Sequence, residues 1–568
     1  MIKLGRWLIV GIVLLFMAGL VVSYAAQESQ PWMRGRDPLK FGGTLTLARG
    51  WEPLTMDSLL TTYGEQSHMY ISEPPFMTEP NGEFGPAGWI ESIDHSPDEL
   101  VWTFHIEPGV TFQDGTPLDA NAFAWLLRKR ITDDSVYSDP LTYIPDVDHI
   151  VVVDKYTLQI QQVGQAWPEL PLNMATPSWV GAMRTPDAVA RYGETYGYKM
   201  AYGNGPFELE EWVKGDHLTL ARNNDYWWTP SWAAKYAGLT EGEEYHPGPP
   251  YLDKLVLEYV PEAATRVAML KTREVDGIVE VPNSMVEEIK RIPHVKLMGS
   301  PSYSIRYIAY NTTKPPLNDE IVRKALNYGV NREAIVNAIY FGYATPAYSP
   351  YCGTALEDPN TEHLYKYDPD KAKALLAQDG WKDTNEDGIL DKDDQPLHFE
   401  LWSSNLPNYR KMAVMAQAMW KELGVDVTLR QFDEATLRAK IGAGEHEATV
   451  FRHDWVTKND MYNWWFNPDY KWDPQQTGFD TPELRALIDK TFKAETLDEV
   501  NQTNDDLVNY YYEHAAICAL VHPENLFAIY DDIVDVVPRS AGWWGWMPYL
   551  YDTYRQDVYE ANKAAAGK

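Results

Sequence analysis

Basic residues are scarce in this chain. Forty-nine Lys and Arg stand against 82 Asp and Glu over 568 residues, a formal net charge of −33. Such a surface excludes nucleic acid as a partner, because binding a phosphate backbone needs basic patches that displace counterions. It equally opposes adhesion to an anionic membrane face. Cysteine is nearly absent. Cys352 and Cys518 are too few for a disulfide framework; one bridge between them and two buried thiols are both open readings. Catalytic signatures are missing too. There is no His-Glu-x-x-His, no Gly-x-Ser-x-Gly, no P-loop and no dinucleotide fingerprint, and the 13 histidines show no metal-ligand spacing.

Long apolar runs are limited to one. Leu8 to Val22 follows Lys3 and Arg6 and precedes the small residues Ser23, Ala25 and Ala26. That is the layout of a secretory signal peptide over residues 1–26. The run falls short of the roughly 18–20 residues of a spanning helix, and an uncleaved N-terminal anchor is the other reading. No cysteine follows the run, so a bacterial lipoprotein anchor is excluded. A periplasmic or extracytoplasmic location is expected.

What is present is length and aromatic surface. A chain this long exceeds what one core usually serves, so two or more domains are expected. Twenty-two Trp and 36 Tyr supply core volume and, in part, stacking surface. A helix over Tyr409–Leu423, the strand Val425–Leu429 and a helix over Asp433–Ile441 alternate in the manner of α/β sheets with helical crossovers. The stretch Trp102–Arg130 is the most informative. Trp102, Phe104 and Ile106 alternate with Thr103, His105 and Glu107 as a strand does. Pro108-Gly109 and Asp114-Gly115 mark turns. Asp119 then caps a helix whose Phe123, Leu126, Leu127 and Ile131 share a face.

The wording of that stretch, F-x-I-x-x-G-V-x-F-x-D-G-x-P-L-x-A, resembles the signature of the extracytoplasmic solute-binding proteins of ABC importers, family 5, which includes the oligopeptide-, dipeptide- and nickel-binding proteins. Further matches follow in the family's order: Gly203-Asn-Gly-Pro-Phe207, Arg222 to Trp227, Asn311 to Asp319 leading into Val322-Arg323, and Tyr367 to Leu376. The resemblance runs from about Gly42 to about Asp535. It implies an α/β, two-lobed periplasmic-binding-protein-like fold of type II, cluster C. Lobe one would comprise residues 42–298 plus 520–568, with an extra subdomain over about 61–190. Lobe two would comprise 299–519, with a hinge at the two crossings. It also implies a monomeric carrier, not an enzyme, that takes up a solute and hands it to membrane permease subunits.

The ligand would lie between the lobes. Peptide-binding relatives carry a cleft segment W-[TS]-x-D-x-x-D-P whose first Asp pairs with the peptide amine. Here Trp455 matches, but Lys458 falls where that Asp belongs, and a lysine repels an ammonium group. Asp454 or Asp460 could take the role after a small shift. Trp455, Trp464, Trp465 and Trp402 invite a second reading, since indoles are stacking platforms for sugar rings; an oligosaccharide-binding member of the same family is therefore the alternative. Asn405 and Arg410 fall in a matching cleft loop, and Tyr63 in an early loop of lobe one. A secreted glycan hydrolase with a Trp-lined cleft is the rival from another class, and a membrane-anchored sensor a third reading. No cofactor is required.

One metal signal stands apart. Asp383, Asn385, Asp387, Ile389 (through its carbonyl), Asp391 and Asp394 fall at positions 1, 3, 5, 7, 9 and 12 of a calcium loop, with Gly388 at position 6. Asp replaces the usual Glu at position 12. Structural calcium and a plain acidic turn are the two readings.

Overall fold

The computed structural model describes residues 36–57, 69–78, 84–85, 89–132, 146–162, 170, 174, 184–226, 248–302, 304–348, 364–454, 468, 477–494, 496–538, 547–548 and 550–567. After a short 3-10 turn the chain enters β1 (Thr44–Arg49), whose Leu45, Leu47 and Ala48 are fully or almost fully buried. It then leaves for a separate subdomain: β2 (Ile90–His95), β3 (Val101–Ile106), α1 (Ala120–Thr132), β4 (Ile150–Asp154) and β5 (Thr157–Gln161), in a four-stranded sheet of order β2-β3-β5-β4. Trp102, Phe104 and Ile106 point into this subdomain's own core, against Phe123, Leu126 and Leu127 of α1. Asp119 caps α1, its carboxylate accepting from the amides of Asn121 (2.9 Å) and Ala122 (3.2 Å).

The chain returns to β1's sheet through β6 (Phe207–Val213), β7 (His217–Arg222), β8 (Lys254–Tyr259), α2 (Ala263–Thr272), β9 (Gly277–Val279) and β10 (Val295–Pro301). β1 runs parallel to β8 and β9. Leu45, Leu47, Leu255 and Leu257 form one core beside Phe207 and Leu218, and Ala48, Ile278, Val267 and Leu270 form the other, so both faces of the sheet are covered.

The second half begins at β11 (Ser304–Tyr310). It continues through α3 (Glu320–Tyr328), α4 (Arg332–Tyr340), β12 (Ala344–Pro346), β13 (His398–Ser404), α5 (Pro407–Lys421), β14 (Asp426–Phe432), α6 (Glu434–Gly442), β15 (Ala448–Asp454), α7 (Pro482–Phe492) and α8 (Leu497–Glu513) to β16 (Ile517–Tyr530). The expected helix–strand–helix alternation is present, and Asp433 caps α6 through the Thr436 amide at 2.9 Å. β13 is parallel to β14 and β15, while β11 lies antiparallel between β15 and β16. Ile305 and Tyr307 feed one core with Phe451 and Leu437; Ile308 and Tyr310 feed another with Leu326, Met412 and Trp420.

β16 joins the two halves. Its first residues, Ile517 to Val521, pair with β11. Its last, Glu524 to Tyr530, pair with β10, and Phe527 to Ile529 also pair with β9. The strand order is therefore continuous, β14-β13-β15-β11-β16-β9-β1-β8-β7-β6. β10 and β11 are consecutive, so the chain crosses between halves at residues 301–304 and again at 521–524. The two crossings lie side by side: Ser302 Oγ donates to the Pro523 carbonyl, and a His522 ring nitrogen lies 3.1 Å from the Ser304 carbonyl.

Three motif residues are structural staples. Gln113 donates to the carbonyls of Ile71 (3.1 Å), Gly205 (3.2 Å) and Phe207 (2.7 Å) and accepts from the Gly203 amide (2.9 Å), tying the subdomain to lobe one. A Cβ at Gly203 or Gly205 would collide with the Ile71 backbone, which explains both glycines of that motif. Buried Arg323 donates to the carbonyls of Leu317 (2.9 Å), His514 (2.8 Å) and Ala515 (3.2 Å). Buried Arg332 holds those of Ala519 (2.7 Å) and Tyr365 (2.9 Å). The alanine-rich C-terminal tail is a helix over Gln556–Ala566. Alanine favours helix, and Asn562 pins it by donating to the carbonyls of Leu39 (3.0 Å) and Phe41 (3.1 Å).

Candidate functional site

Side chains at the carboxyl ends of parallel strands line the crevice of open α/β sheets. Here the carboxyl ends of β1, β8 and β9 and those of β13, β14 and β15 approach the crossing from opposite sides. Val279 pairs with Phe527 on one side, and Asp454 pairs with Ser304 on the other. These two rims form the candidate binding cleft.

On the lobe-one rim, Arg49 is fully buried at the end of β1, opposite Tyr259 of β8. Its guanidinium lies 3.8 Å from the centroid of the Trp51 ring. Arg266, also buried, donates to the carbonyls of Val260 (2.7 Å) and Pro261 (3.1 Å) and lies 3.9 Å from Glu280. Glu280 accepts from the Gly50 amide at 3.2 Å. Burial lowers the Arg49 pKa, and Glu280 opposes that. Burial raises the Glu280 pKa, against the pull of Arg49 and Arg266. The Tyr259 hydroxyl is buried with no hydrogen-bond partner among the described residues.

On the lobe-two rim, Arg306 of β11 stands directly opposite Arg452 of β15. Both are half-buried. Arg306 donates to Ser304 Oγ and to the Ile305 carbonyl (3.2 Å), and its guanidinium carbon is 5.8 Å from the Tyr409 ring centroid. Tyr340, which also hydrogen-bonds Arg306, has its pKa raised by burial and pulled back by that arginine. Arg452 donates to Glu434 at 2.8 Å.

The sequence-derived site residues are distributed unevenly over this geometry. Trp402 is buried at 4% exposure. Its ring packs 4.9 Å from Phe432, and its indole N–H donates to Glu400 at 2.9 Å, so it is core in this structure and offers no open stacking face. Asn405 and Arg410 are exposed, after β13 and in the first turns of α5; the Asn405 amide donates to the Phe432 carbonyl at 2.9 Å. Asp454 is the last residue of β15. Tyr63, Trp455, Lys458, Asp460, Trp464 and Trp465 lie outside the described residues, as does Cys352. Cys518 is a free, buried thiol whose pKa is raised by burial. Sequence reading passed over Arg49, Arg306 and Arg452. The available signal was a charge inside an otherwise apolar strand, Ile305-Arg306-Tyr307-Ile308.

The acidic turn closes on itself. Asp383 accepts from the Gly388 amide (3.0 Å), Asn385 from Asp387 (2.9 Å), Asp387 from Ile389 (2.8 Å), and Asp391 from Thr384 Oγ1 (3.0 Å). Asp394 lies at the tip of a hairpin between Asp391–Lys392 and Gln395–Pro396, with φ of 59°, and not at the start of a helix. Among the described residues no group of three or more His, Cys, Asp or Glu side chains is placed to hold a metal ion.

The model of the bacterial extracellular solute-binding proteins, family 5, matches residues 87–477. This chain belongs to that family. Among curated relatives, the glutathione-binding protein GsiB of Salmonella paratyphi A is 27% identical over 467 residues, spanning 80% of this chain and 78% of that protein. Among solved structures, the ABC transporter substrate-binding protein CtaP of Listeria monocytogenes has a TM-score of 0.74 at 19% identity, over 91% of this chain and 100% of its own. The periplasmic binding protein DppA of Helicobacter pylori, solved with the peptide STSA, has a TM-score of 0.69 at 21% identity, over 91% and 99%. Family members are extracytoplasmic receptors of ABC importers. No helix among the described residues is long and apolar enough to cross a membrane.

Proposed function

We propose that this protein captures an oligopeptide-type solute between its lobes, closes on it, and presents the closed form to ABC permease subunits as a monomer. The observation that carries this reading is β16, one strand shared by two sheets whose carboxyl-end rims meet at the crossing. Two adjacent crossings form a hinge about which the lobes close. The division into residues 42–298 plus 520–568 and 299–519, with the subdomain over about 61–190, belongs to the same proposal, as do export by residues 1–26 and the absence of covalent chemistry. Relatives named for glutathione and solved with a peptide support a small peptide-like cargo.

The direct test is mass spectrometry of the molecule that co-purifies with the full chain. Peptides would support the reading, and turnover of added oligosaccharides would overturn it in favour of a glycan hydrolase. Binding without turnover would instead select the oligosaccharide carrier, a reading that has lost Trp402 to the core. Trp455→Ala is expected to weaken solute binding by about 1–3 kcal/mol, the order for a buried aromatic anchor, as titration calorimetry would show. Structural calcium at Asp383–Asp394 enters only through its ligand spacing. A fall in melting temperature on adding chelator, abolished by Asp387→Ala, is the test for it.

A further inference from the structure

We propose that the exposed face of α5 is a docking surface, and that the permease meets it with a patch of acidic and apolar side chains. The inference rests on the receptor reading above and names the chemistry of its membrane partner. α5 stands out by what it lacks. Over Pro407–Lys421 there is no Asp or Glu, in a chain that has 82 of them. Met412, Ala413, Ala416 and Trp420 bury one side of the helix in the lobe-two core. Arg410, Val414, Ala418 and Lys421, spaced as i, i+4, i+8 and i+11, share the opposite, exposed side, and exposed Lys411 stands next to Arg410. The three cationic side chains form no ion pair among the described residues. Val414 is 50% exposed, and Leu406, just before the helix, 39%. Two of these cations follow the first turn, at the positive end of the helix dipole, where acidic residues are the stabilising choice. Such a face does nothing for folding, and that is where a partner is to be sought.

Lobe one carries a patch of the same make-up. Leu54 and Tyr198 are 60% and 43% exposed. Lys214 joins them: it donates to the Leu54 carbonyl at 3.4 Å, and its ammonium lies 5.3 Å from the Tyr198 ring centroid. Both patches follow the carboxyl end of a strand at the candidate cleft, Leu54 after β1 and Leu406 after β13. A single permease surface engages both only at one angle between the lobes, so docking there reads closure. An anionic membrane is the other surface that a basic and apolar face could meet. A net charge of −33 repels such a membrane, and the larger apolar side of α5 is already packed in the core. An acidic patch on a protein escapes that objection, because complementary charges act locally, within a screening length of about 8 Å.

The experiment places the photo-cross-linker p-benzoylphenylalanine in the full chain at position 414 or 54, and at position 153 or 367, outside both patches. Each protein is illuminated with membrane vesicles from its native host, and the joined peptides are sequenced by mass spectrometry. Positions 414 and 54 are expected to join extracytoplasmic segments of an ABC permease subunit, and the segment joined to position 414 should carry Asp or Glu. Lys411→Glu with Lys421→Glu should cut that yield by about tenfold, because like charges across an interface repel, and added salt should lower the wild-type yield. The melting temperature and the calorimetric affinity of that variant for short peptides should match the wild type. A permease joined from position 153 or 367 but not from 414, or a yield indifferent to the charge reversal, would overturn the assignment and leave the receptor reading standing. Position 414 joined to lipid alone would overturn it in favour of a membrane contact. No permease joined from any of the four positions would sink the receptor reading, and the assignment with it.

Discussion

Arg49 in lobe one and Arg306 in lobe two both stand at the rim end of a central strand, and the molecule treats them in opposite ways. Arg49 is fully buried, stacked on Trp51, and shares Glu280 with Arg266. Burying that charge is tolerable only because the Glu280 carboxylate offsets its desolvation. Arg306 remains half-buried, beside another arginine and a buried Tyr409 hydroxyl that has no hydrogen-bond partner among the described residues. One rim buries its carboxylate and guanidinium groups together. The other keeps its two arginines half-buried at the candidate cleft. Position in a sheet therefore does not assign a role to a charge; the state of its partners does.

The largest effect that could break this comparison is expected from Glu280→Leu. It strands two buried guanidinium groups and should cost about 3–5 kcal/mol of folding stability by chemical denaturation. Arg306→Gln should cost under about 1 kcal/mol in the same assay, since a half-exposed side chain leaves no sealed charge behind. Equal costs would erase the distinction between the rims. Next in size is Gln113→Ala, which leaves four backbone groups seeking water between subdomain and lobe; about 1–3 kcal/mol is expected, with faster proteolysis near residue 113. Asp383→Ala, far from both rims, should cost no more than about 1 kcal/mol, the order for a capping side chain.

The smallest effect concerns Glu524, at the crossing between the rims. Burial raises its pKa above the ordinary carboxyl value. The folded state thus holds a proton that the unfolded state has already released. Its stabilising contribution is present below the unfolded value and is lost as pH rises through the folded one. Denaturation midpoints measured across that window should fall with rising pH in the wild type. Glu524→Gln should flatten that fall, and an unchanged slope would remove Glu524 from the account.

The scaffold was legible in the sequence to a high degree. The Trp102–Arg130 stretch shows its strand, turns and capped helix because alternation, Asp-Gly and an N-cap are local signals. The helix over Pro369–Gln378, capped by Asp368, and the helix capped by Asp433 are legible for the same reason. The site was much less so. Trp402 looked like a sugar platform because composition cannot tell an indole in a core from one in a cleft; the Phe432 neighbour that decides it comes from another strand. The Arg306–Arg452 pairing depends on antiparallel register between segments far apart in sequence, which no local pattern encodes. The calcium spacing was local and plain, but its last position lands in a hairpin tip, a consequence of the strands that follow it.

The strand shared by both sheets is also nearly the last to be made. β9 and β10 on one side and β11 on the other are synthesised long before Ile517–Tyr530, their common neighbour. Until that segment leaves the ribosome, each half-built sheet keeps an open edge where its partner belongs. Such long-range pairing is slow to form. Neither lobe's sheet can be complete until that one late segment is in place.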